Sequence, residues 1–146
     1  MVVDAVRNTA PPDHGDQAVI IDASPGTSCA VVAAARDTDF CLLVTEPTPF
    51  GLNDLALAVE LAKKLGLPHG VVINRAGLGD DSVHDYCHGA NIPILMEIPF
   101  DKNYAACYAR GGRLVEEFPD LGKKFIKLWD RIQYYAKDYQ QEGEVT

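Results

Sequence analysis

Short hydrophobic runs alternate with amphipathic stretches along most of this chain. Four runs are rich in aliphatic residues, and most are apolar throughout, which is typical of strands covered on both faces. These predicted strands are residues 18–22 (AVIID), 40–45 (FCLLVT), 70–74 (GVVIN) and 94–98 (ILMEI). Because helical segments separate them, the pattern predicts parallel pairing through right-handed crossovers. The expected fold is a Rossmann-like α/β sandwich, a mostly parallel sheet with helices on both faces.

Three helices are predicted between the strands. The first is an Ala-rich stretch at 28–36, and the second, at 52–66, ends at a glycine. Asp80 or Asp81 is placed to cap a third helix that runs to about Ala90. The apolar stripe of the second helix consists of Leu52, Leu55, Val59 and Ala62.

A last helix is predicted from Pro119 to Tyr139, where large apolar residues recur at helical spacing. These residues are Leu121, Phe125, Leu128, Trp129, Ile132 and Tyr139. The spacing is typical of an amphipathic helix that lies on its own domain, and a docking helix for another chain is the alternative.

The length, composition and net charge limit the classes of protein to which this chain can belong. A chain of 146 residues with 47% hydrophobic and 23% charged residues is typical of a single globular domain, here residues 1–146. The net charge of -8 argues against nucleic acid as a partner. No apolar run is long enough to span a membrane, and Asp4 and Arg7 interrupt the start of the chain where a signal peptide would be apolar. We therefore expect a cytoplasmic protein with a short linker at 11–16.

The four cysteines give no sign of a metal cluster. They are Cys29, Cys41, Cys87 and Cys107, and none forms a Cys-x-x-Cys pair. We expect these thiols to pack as small apolar groups.

Polar or turn-forming residues follow each predicted strand. In parallel α/β sheets, ligands gather at the carboxyl ends of the strands, so these residues should share one rim. They are Asp22 with Pro25-Gly26, then Thr45-Glu46-Pro47, Asn74-Arg75 and Pro99-Phe100-Asp101.

Two of these residues have side chains suited to a nucleotide. A carboxylate such as Asp22, directly after a buried strand, can hold the water ligands of Mg²⁺, and Gly26 would let the next loop approach a phosphate. Alternatively, Asp22 caps the turn into the helix at Ser28. The amide of Asn74 matches the donor and acceptor edge of adenine, although it would also suit an Asx turn.

Four segments resemble the MinD superfamily of P-loop ATPases, and most closely its members with an inserted ferredoxin-like iron–sulfur domain. The segments are IIDASPGTSC, LLVTEPTPFGLNDL, GVVINRAGLGDD and IPILMEIPFD. The resemblance covers residues from about 17 to about 116. One departure is Ser24, where that group usually has a second proline before Gly26.

The resemblance implies a role for each rim residue. Asp22 resembles the catalytic Walker B aspartate that orders water around Mg²⁺, and Gly26 would lie in the loop that senses the γ-phosphate. The adenine-binding positions would be Asn74 and Arg75, which read and flank the base, and Pro99 and Asp101, which close over base and ribose. The positions where the family's dimers meet at the rim would be Thr45, Glu46 and Pro47.

The phosphate-binding half of such a protein is missing from the sequence. No G-x-x-x-x-G-K-[ST] motif occurs, and NRAGLGDDS has Ser82 where a third glycine would stand. The resemblance therefore implies only the C-terminal portion of an ATPase. ATP and Mg²⁺ would be cofactors of the intact parent, with iron–sulfur clusters in the missing insert. We expect no tightly bound cofactor and no ATP hydrolysis for this chain alone.

The missing P-loop strand would lie between the strands that end at Asp22 and Thr45. Its loss predicts that these two strands close on each other, or that another chain supplies pairing. We therefore expect a homodimer or association with the missing N-terminal portion. The alternative is a non-catalytic interaction module that pairs with a separately encoded P-loop partner.

Overall fold

The computed structural model describes residues 18–143 of the chain, and the predicted linker at 11–16 lies outside them. In chain order the elements are α1 (Cys29–Ala35), β1 (Cys41–Thr45), α2 (Pro49–Lys64), β2 (His69–Ala76), α3 (Ser82–Gly89), β3 (Ile94–Pro99), α4 (Lys102–Ala109), α5 (Leu114–Glu117) and α6 (Pro119–Gly143).

Within the described residues the strands form one parallel sheet in the order β1-β2-β3. Strand β1 pairs with β2 from Cys41↔His69 to Thr45↔Ile73, and β2 pairs in turn with β3. Each crossover passes through a helix, so all three strands end at the same edge. The α/β prediction is confirmed.

Helices cover both faces of the sheet. On one face, α2 and α3 enclose a core of Leu55, Val59, Val71, Ile73, Val83, Cys87 and Ile92. On the other face, α6 contributes Leu121 and Leu128 to a second core with Val72, Leu95 and Met96. Because successive residues of β2 point to opposite faces, its unbroken apolar run serves both cores.

Helix α2 begins three residues before the predicted start. Thr48 is its N-cap, with the Thr48 hydroxyl accepting a 3.0 Å hydrogen bond from the amide of Gly51, and Pro49 occupies the first turn. Proline is favoured there because the first amides of a helix lack intrahelical acceptors. The predicted stripe is buried at Leu55, Val59 and Ala62.

Helix α6 is amphipathic, as predicted, and lies on the domain. Leu121 and Leu128 are buried against the sheet, whereas Phe125, Ile126 and Trp129 remain exposed. The buried positions are seven residues apart, so they share one face of the helix.

The predicted strand at 18–22 is wrong. Residues 18–22 form no strand, and the side chain of Ile20 is 88% exposed. A strand requires a neighbour for its backbone hydrogen bonds, and a run of apolar residues alone does not supply one. Strand β1 is consequently an edge strand of the described sheet. The prediction that its run is covered on both faces is also wrong, because Leu42 and Val44 are exposed.

In the described part of the chain, every helix is too short or too polar to cross a lipid bilayer.

Candidate functional site at the carboxyl edge of the sheet

The carboxyl ends of the three strands meet at one rim, as the parallel pairing requires. Ala76 at the end of β2 pairs with Pro99 at the end of β3, and the Phe100 amide donates to the carbonyl of Ala76 over 3.1 Å. The rim therefore joins the segments that follow β1, β2 and β3. This edge is where α/β sheets bind ligands.

A bulge interrupts β2 at Asn74 and Arg75. Ile73 pairs with Glu97, but the next paired residue is Ala76, so two residues of β2 face a single residue of β3. Arg75 has a φ of 54°, in the left-handed region that non-glycine residues rarely adopt. Bulges of this kind turn side chains out of the ladder, often beside functional sites. The backbone thus presents half-buried Asn74 and exposed Arg75 at the rim.

Arg75 forms an ion pair with Glu46 across the rim. The distance from Arg75 Nη1 to Glu46 Oε2 is 3.2 Å, and both side chains are partly exposed to solvent. Such pairs contribute only about 0–1 kcal/mol to stability. The pair nevertheless brings the guanidinium of Arg75 and the carboxylate of Glu46 together where β2 and β1 end.

The turn from β1 into α2 is fixed by close backbone contacts. The buried Thr45 hydroxyl donates a 2.9 Å hydrogen bond to the carbonyl of Gly51. A Cβ atom at Gly51 would overlap the carbonyl oxygen of Glu46, so only glycine fits. Thr45 and Pro47 are both buried, and of the three predicted dimer-rim residues only Glu46 presents a partly exposed side chain.

The loop after β2 crosses the segment after β1. Gly79 has a φ of 91°, and a Cβ atom there would collide with the carbonyl oxygen of Pro47. The carboxylate of Asp80 then accepts a 3.0 Å hydrogen bond from the amide of Ser82 at the start of α3. The hydroxyl and amide of Ser82 lower the pKa of Asp80. These contacts fix the loop beside the Glu46–Arg75 pair.

The segment after β3 has a structural role of its own. The carboxylate of Asp101 caps α4, accepting a 2.7 Å hydrogen bond from the amide of Asn103. Pro99 and Phe100 are exposed at the rim. The predicted contact of Pro99 and Asp101 with base and ribose stays a prediction.

Asp22 and Gly26 precede α1 and are exposed. Gly26 has a φ of 98°, which favours glycine, and a Cβ atom there would meet nothing within 4 Å. Within residues 18–143, no hydrogen bond joins Asp22 to the rim or to the start of α1 at Ser28. The structure therefore assembles the segments after β1, β2 and β3, while the role of Asp22 stays a prediction.

The described residues do not fit an iron–sulfur cluster. Such a cluster needs several cysteine thiolates in one place. Cys87 on α3 and Cys107 on α4 are buried, and burial raises the pKa of both thiols. Among the described residues no three His, Cys, Asp or Glu side chains lie close enough to hold a metal ion. The predicted water-mediated contact of Asp22 with Mg²⁺ stays a prediction.

Three features of the rim were not predicted from the sequence. These are the Glu46–Arg75 ion pair, the bulge at Asn74–Arg75, and the contact of Gly79 with Pro47. The glycines of GVVINRAGLGDD indicate positive φ angles in the loop, but they do not indicate that the loop contacts Pro47. The other two features depend on the register of strands that are distant in sequence.

Fold and rim together define a parallel α/β domain with a candidate ligand site at its carboxyl edge. No protein-family model matches the chain. The chain is nevertheless similar in sequence to several individual proteins.

The chain is 39% identical over 92 residues to an uncharacterized protein of Methanocaldococcus jannaschii, covering 63% of this chain and 31% of the relative. It is 31% identical over 104 residues to an uncharacterized ATP-binding protein of the same organism, covering 67% of this chain and 38% of the relative. It is 28% identical over 120 residues to a homologue of the cytosolic Fe-S cluster assembly factor Nubp2 from Anopheles gambiae, covering 70% of this chain and 46% of the relative. The chain thus spans less than half of each of these relatives.

Proposed function

We propose that this chain is the C-terminal part of a cytoplasmic, MinD-like P-loop ATPase associated with iron–sulfur chemistry. Its role is to supply the Walker B and switch segments and the segment that recognises adenine. Similarity to an ATP-binding protein and to an Fe-S cluster assembly factor supports this class. The observation that carries the proposal is the placement of Asn74 and Arg75 by the β2 bulge, beside Glu46.

The adenine base would bind against Asn74 and Arg75. The amide of Asn74 offers both donors and an acceptor, which match the base edge of adenine. The planar guanidinium of Arg75 suits stacking on a purine, and its Nη1 lies 3.2 Å from Glu46 Oε2. Pro99 and Asp101 lie on the adjoining segment, where they would border the base and ribose.

The phosphates would lie towards Asp22 and Gly26. Asp22 would accept hydrogen bonds from waters on Mg²⁺, and that ion would supply charge neutralisation for the phosphates. The sequence has no Gly-rich loop with a lysine to cradle the phosphates. Hydrolysis therefore requires a P-loop from the rest of the protein or from another chain, and this chain alone would not hydrolyse ATP.

A non-catalytic interaction module is the second candidate. The observation that favours it is the edge of β1, which pairs with no other strand within residues 18–143 and whose Leu42 and Val44 side chains are exposed. In that case a separately encoded P-loop partner, or a second copy of the chain, would pair with β1.

Adenosine titration followed by NMR tests the adenine site in this chain alone. We expect millimolar adenosine to shift the resonances of residues 74–76 and 99–101, leaving those at the opposite edge, His69 and Gly70, unchanged. Asn74→Ala should abolish the shifts, whereas Gln133→Ala, a matched amide removal on the exposed surface of α6, should preserve them. Absent or scattered shifts would overturn the adenine assignment.

A further inference from the structure

A cleft lies between strand β3 and helix α6. Four consecutive residues of β3, from Ile94 to Glu97, line it from the strand, and Lys124, Lys127 and Arg131 line it from the helix. Its volume is about 370 Å³, within the range of about 300–1,000 Å³ that is typical of small-ligand sites. We name it the β3–α6 cleft. None of these residues belongs to the rim, so the cleft is a separate candidate site.

The helix side of the cleft is cationic. Lys124, Lys127 and Arg131 stand at positions i, i+3 and i+7, which share one face of a helix. Like charges at such spacings destabilise a helix, and among the described residues no carboxylate pairs with Lys124 or Lys127. Lys123 of the same helix differs, because its Nζ lies 2.9 Å from Asp120 Oδ1. A chain of net charge -8 thus gathers positive charge on one side of α6.

Arg131 is anchored in the cleft by a bulge of β3. The pairing of β3 with β2 passes from Ile94 directly to Met96, so Leu95 is an extra residue in the ladder. Nη1 of Arg131 donates a 2.6 Å hydrogen bond to the carbonyl of Leu95. A guanidinium has five N–H groups, so this bond leaves four donors for a ligand. Such a fixed, planar fork matches the oxygens of a phosphate group.

One carboxylate also lines the cleft. Oε1 of Glu97 lies 3.2 Å from Nε2 of His84, which belongs to α3 on the face of the sheet opposite α6. This contact directs the carboxylate of Glu97 towards α3. The side chains that line the cleft therefore carry three positive charges and one negative charge, and an anion beside α6 would be attracted overall.

We propose that the β3–α6 cleft binds a small molecule that carries a diphosphate group. The three cations extend over about 10 Å of α6, because each helical residue rises by about 1.5 Å. A single phosphate would reach only part of this row, whereas a diphosphate spreads its charge over two groups. The fork of Arg131 would hold one phosphate, and Lys124 and Lys127 would neutralise the other as flexible point charges.

A long polyanion fits the chain less well. The net charge of -8 opposes nucleic acid, whose affinity depends on many phosphate contacts at once. The cleft offers three cations, which is enough for one small ligand. This proposal goes beyond the proposed function and does not depend on it, because the cleft and the adenine-binding rim share no residue.

NMR titration of this chain in a metal-free buffer at pH 7.5 tests the proposal, with inorganic diphosphate as the probe. We expect shifts at the amides of residues 94–97 and 124–131, with half-saturation below about 1 mM. Orthophosphate and citrate should bind at least fivefold more weakly. Methyl diphosphate is a second probe, and tighter binding of the ester than of the free ion would identify an esterified diphosphate as the ligand.

Charge-removing variants locate the site. Lys127→Gln should weaken diphosphate binding at least fivefold, and the double variant Lys124→Gln/Lys127→Gln should abolish the shifts. Both lysines are exposed, so these variants should fold. Lys137→Gln is the matched control. It removes the same charge from an exposed position of α6 that lies outside the cleft, and it should leave binding unchanged.

Three results would overturn the proposal. The first is no localised shift with either diphosphate probe at 10 mM. The second is equal binding of orthophosphate or citrate, which would show that the cations do not select a diphosphate. The third is equal weakening by Lys127→Gln and Lys137→Gln, which would show only a general effect of charge. Adenosine carries no phosphate, so its titration at the rim succeeds or fails independently of these results.

Discussion

Arg75 and Glu46 are 29 residues apart in sequence, yet Arg75 Nη1 lies 3.2 Å from Glu46 Oε2 across the rim. The pair joins the bulged end of β2 to the segment after β1. Arg75 also has a left-handed backbone, which costs on the order of 1 kcal/mol for a residue with a Cβ atom. Backbone strain of this kind is often found at ligand-binding and catalytic sites.

Replacing Arg75 should weaken adenosine binding without lowering the stability of the fold. Arg75→Gly removes the strain and an exposed ion pair, so we expect the free energy of unfolding to stay the same or rise by up to about 1 kcal/mol. The adenosine-induced shifts at the rim should fall at least severalfold. Urea denaturation and NMR titration measure the two effects, and a loss of stability above about 1 kcal/mol would assign Arg75 a structural role.

The contact between Gly79 and Pro47 should be detectable as a difference between two glycines. Gly77 and Gly79 have similar φ angles, 89° and 91°, but only at Gly79 would a Cβ atom meet the Pro47 carbonyl. Gly77→Ala should cost about 1–2 kcal/mol for backbone strain, and Gly79→Ala about 1–3 kcal/mol more. Equal losses in urea denaturation would show that the loop does not rest on Pro47.

The core between β2 and α2 should respond to loss of volume. Ile73 is fully buried at the centre of the sheet, so Ile73→Val should cost about 0.5–1.5 kcal/mol. Leu57→Ala, at an exposed position of α2, should change stability by less than about 0.5 kcal/mol. Urea melts of the two variants measure these values, and a neutral Ile73→Val would contradict the packing.

The cysteines should react in the order of their exposure. Cys29 is exposed, whereas burial raises the pKa of the Cys41, Cys87 and Cys107 thiols. With a thiol reagent at pH 8, Cys29 should be modified first, Cys41 more slowly, and Cys87 and Cys107 only on unfolding. Mass spectrometry of the labelled peptides identifies the order. Early modification of Cys87 in the folded protein would contradict its burial.

The raised thiol pKa values also set the direction of a pH effect. The folded protein keeps these thiols protonated, while in the unfolded chain they ionise near pH 8.5. Their contribution to stability is therefore complete below that pH and declines as the pH rises towards the folded values. Urea midpoints between pH 7 and pH 10 should fall, and Cys87→Ala should flatten that slope.

The sequence predicts what depends on local patterns and fails where partners are distant. The hydrophobic periodicity and the composition are sufficient to predict the α/β class and the buried stripe of α2 at Leu55, Val59 and Ala62. Thr48 followed by Pro49 is a recognisable helix-start signal, and it places the start of α2 three residues before the apolar stripe does. The strand predicted at 18–22 failed because hydrophobicity does not reveal whether a neighbouring strand exists. The Glu46–Arg75 pair depends on register, which periodicity does not determine.

The hydrogen bond from Arg131 to the carbonyl of Leu95 makes the two margins of the sheet unequal. At the β3 margin, an irregular ladder and a row of cations oppose further pairing, whereas within residues 18–143 no strand pairs with the outer edge of β1. A subunit that pairs through both edges of its sheet can assemble into fibres. A subunit that pairs through one edge stops assembling once that edge is occupied. If the open edge of β1 pairs with another chain, the resulting assembly therefore ends in a finite particle rather than a fibre.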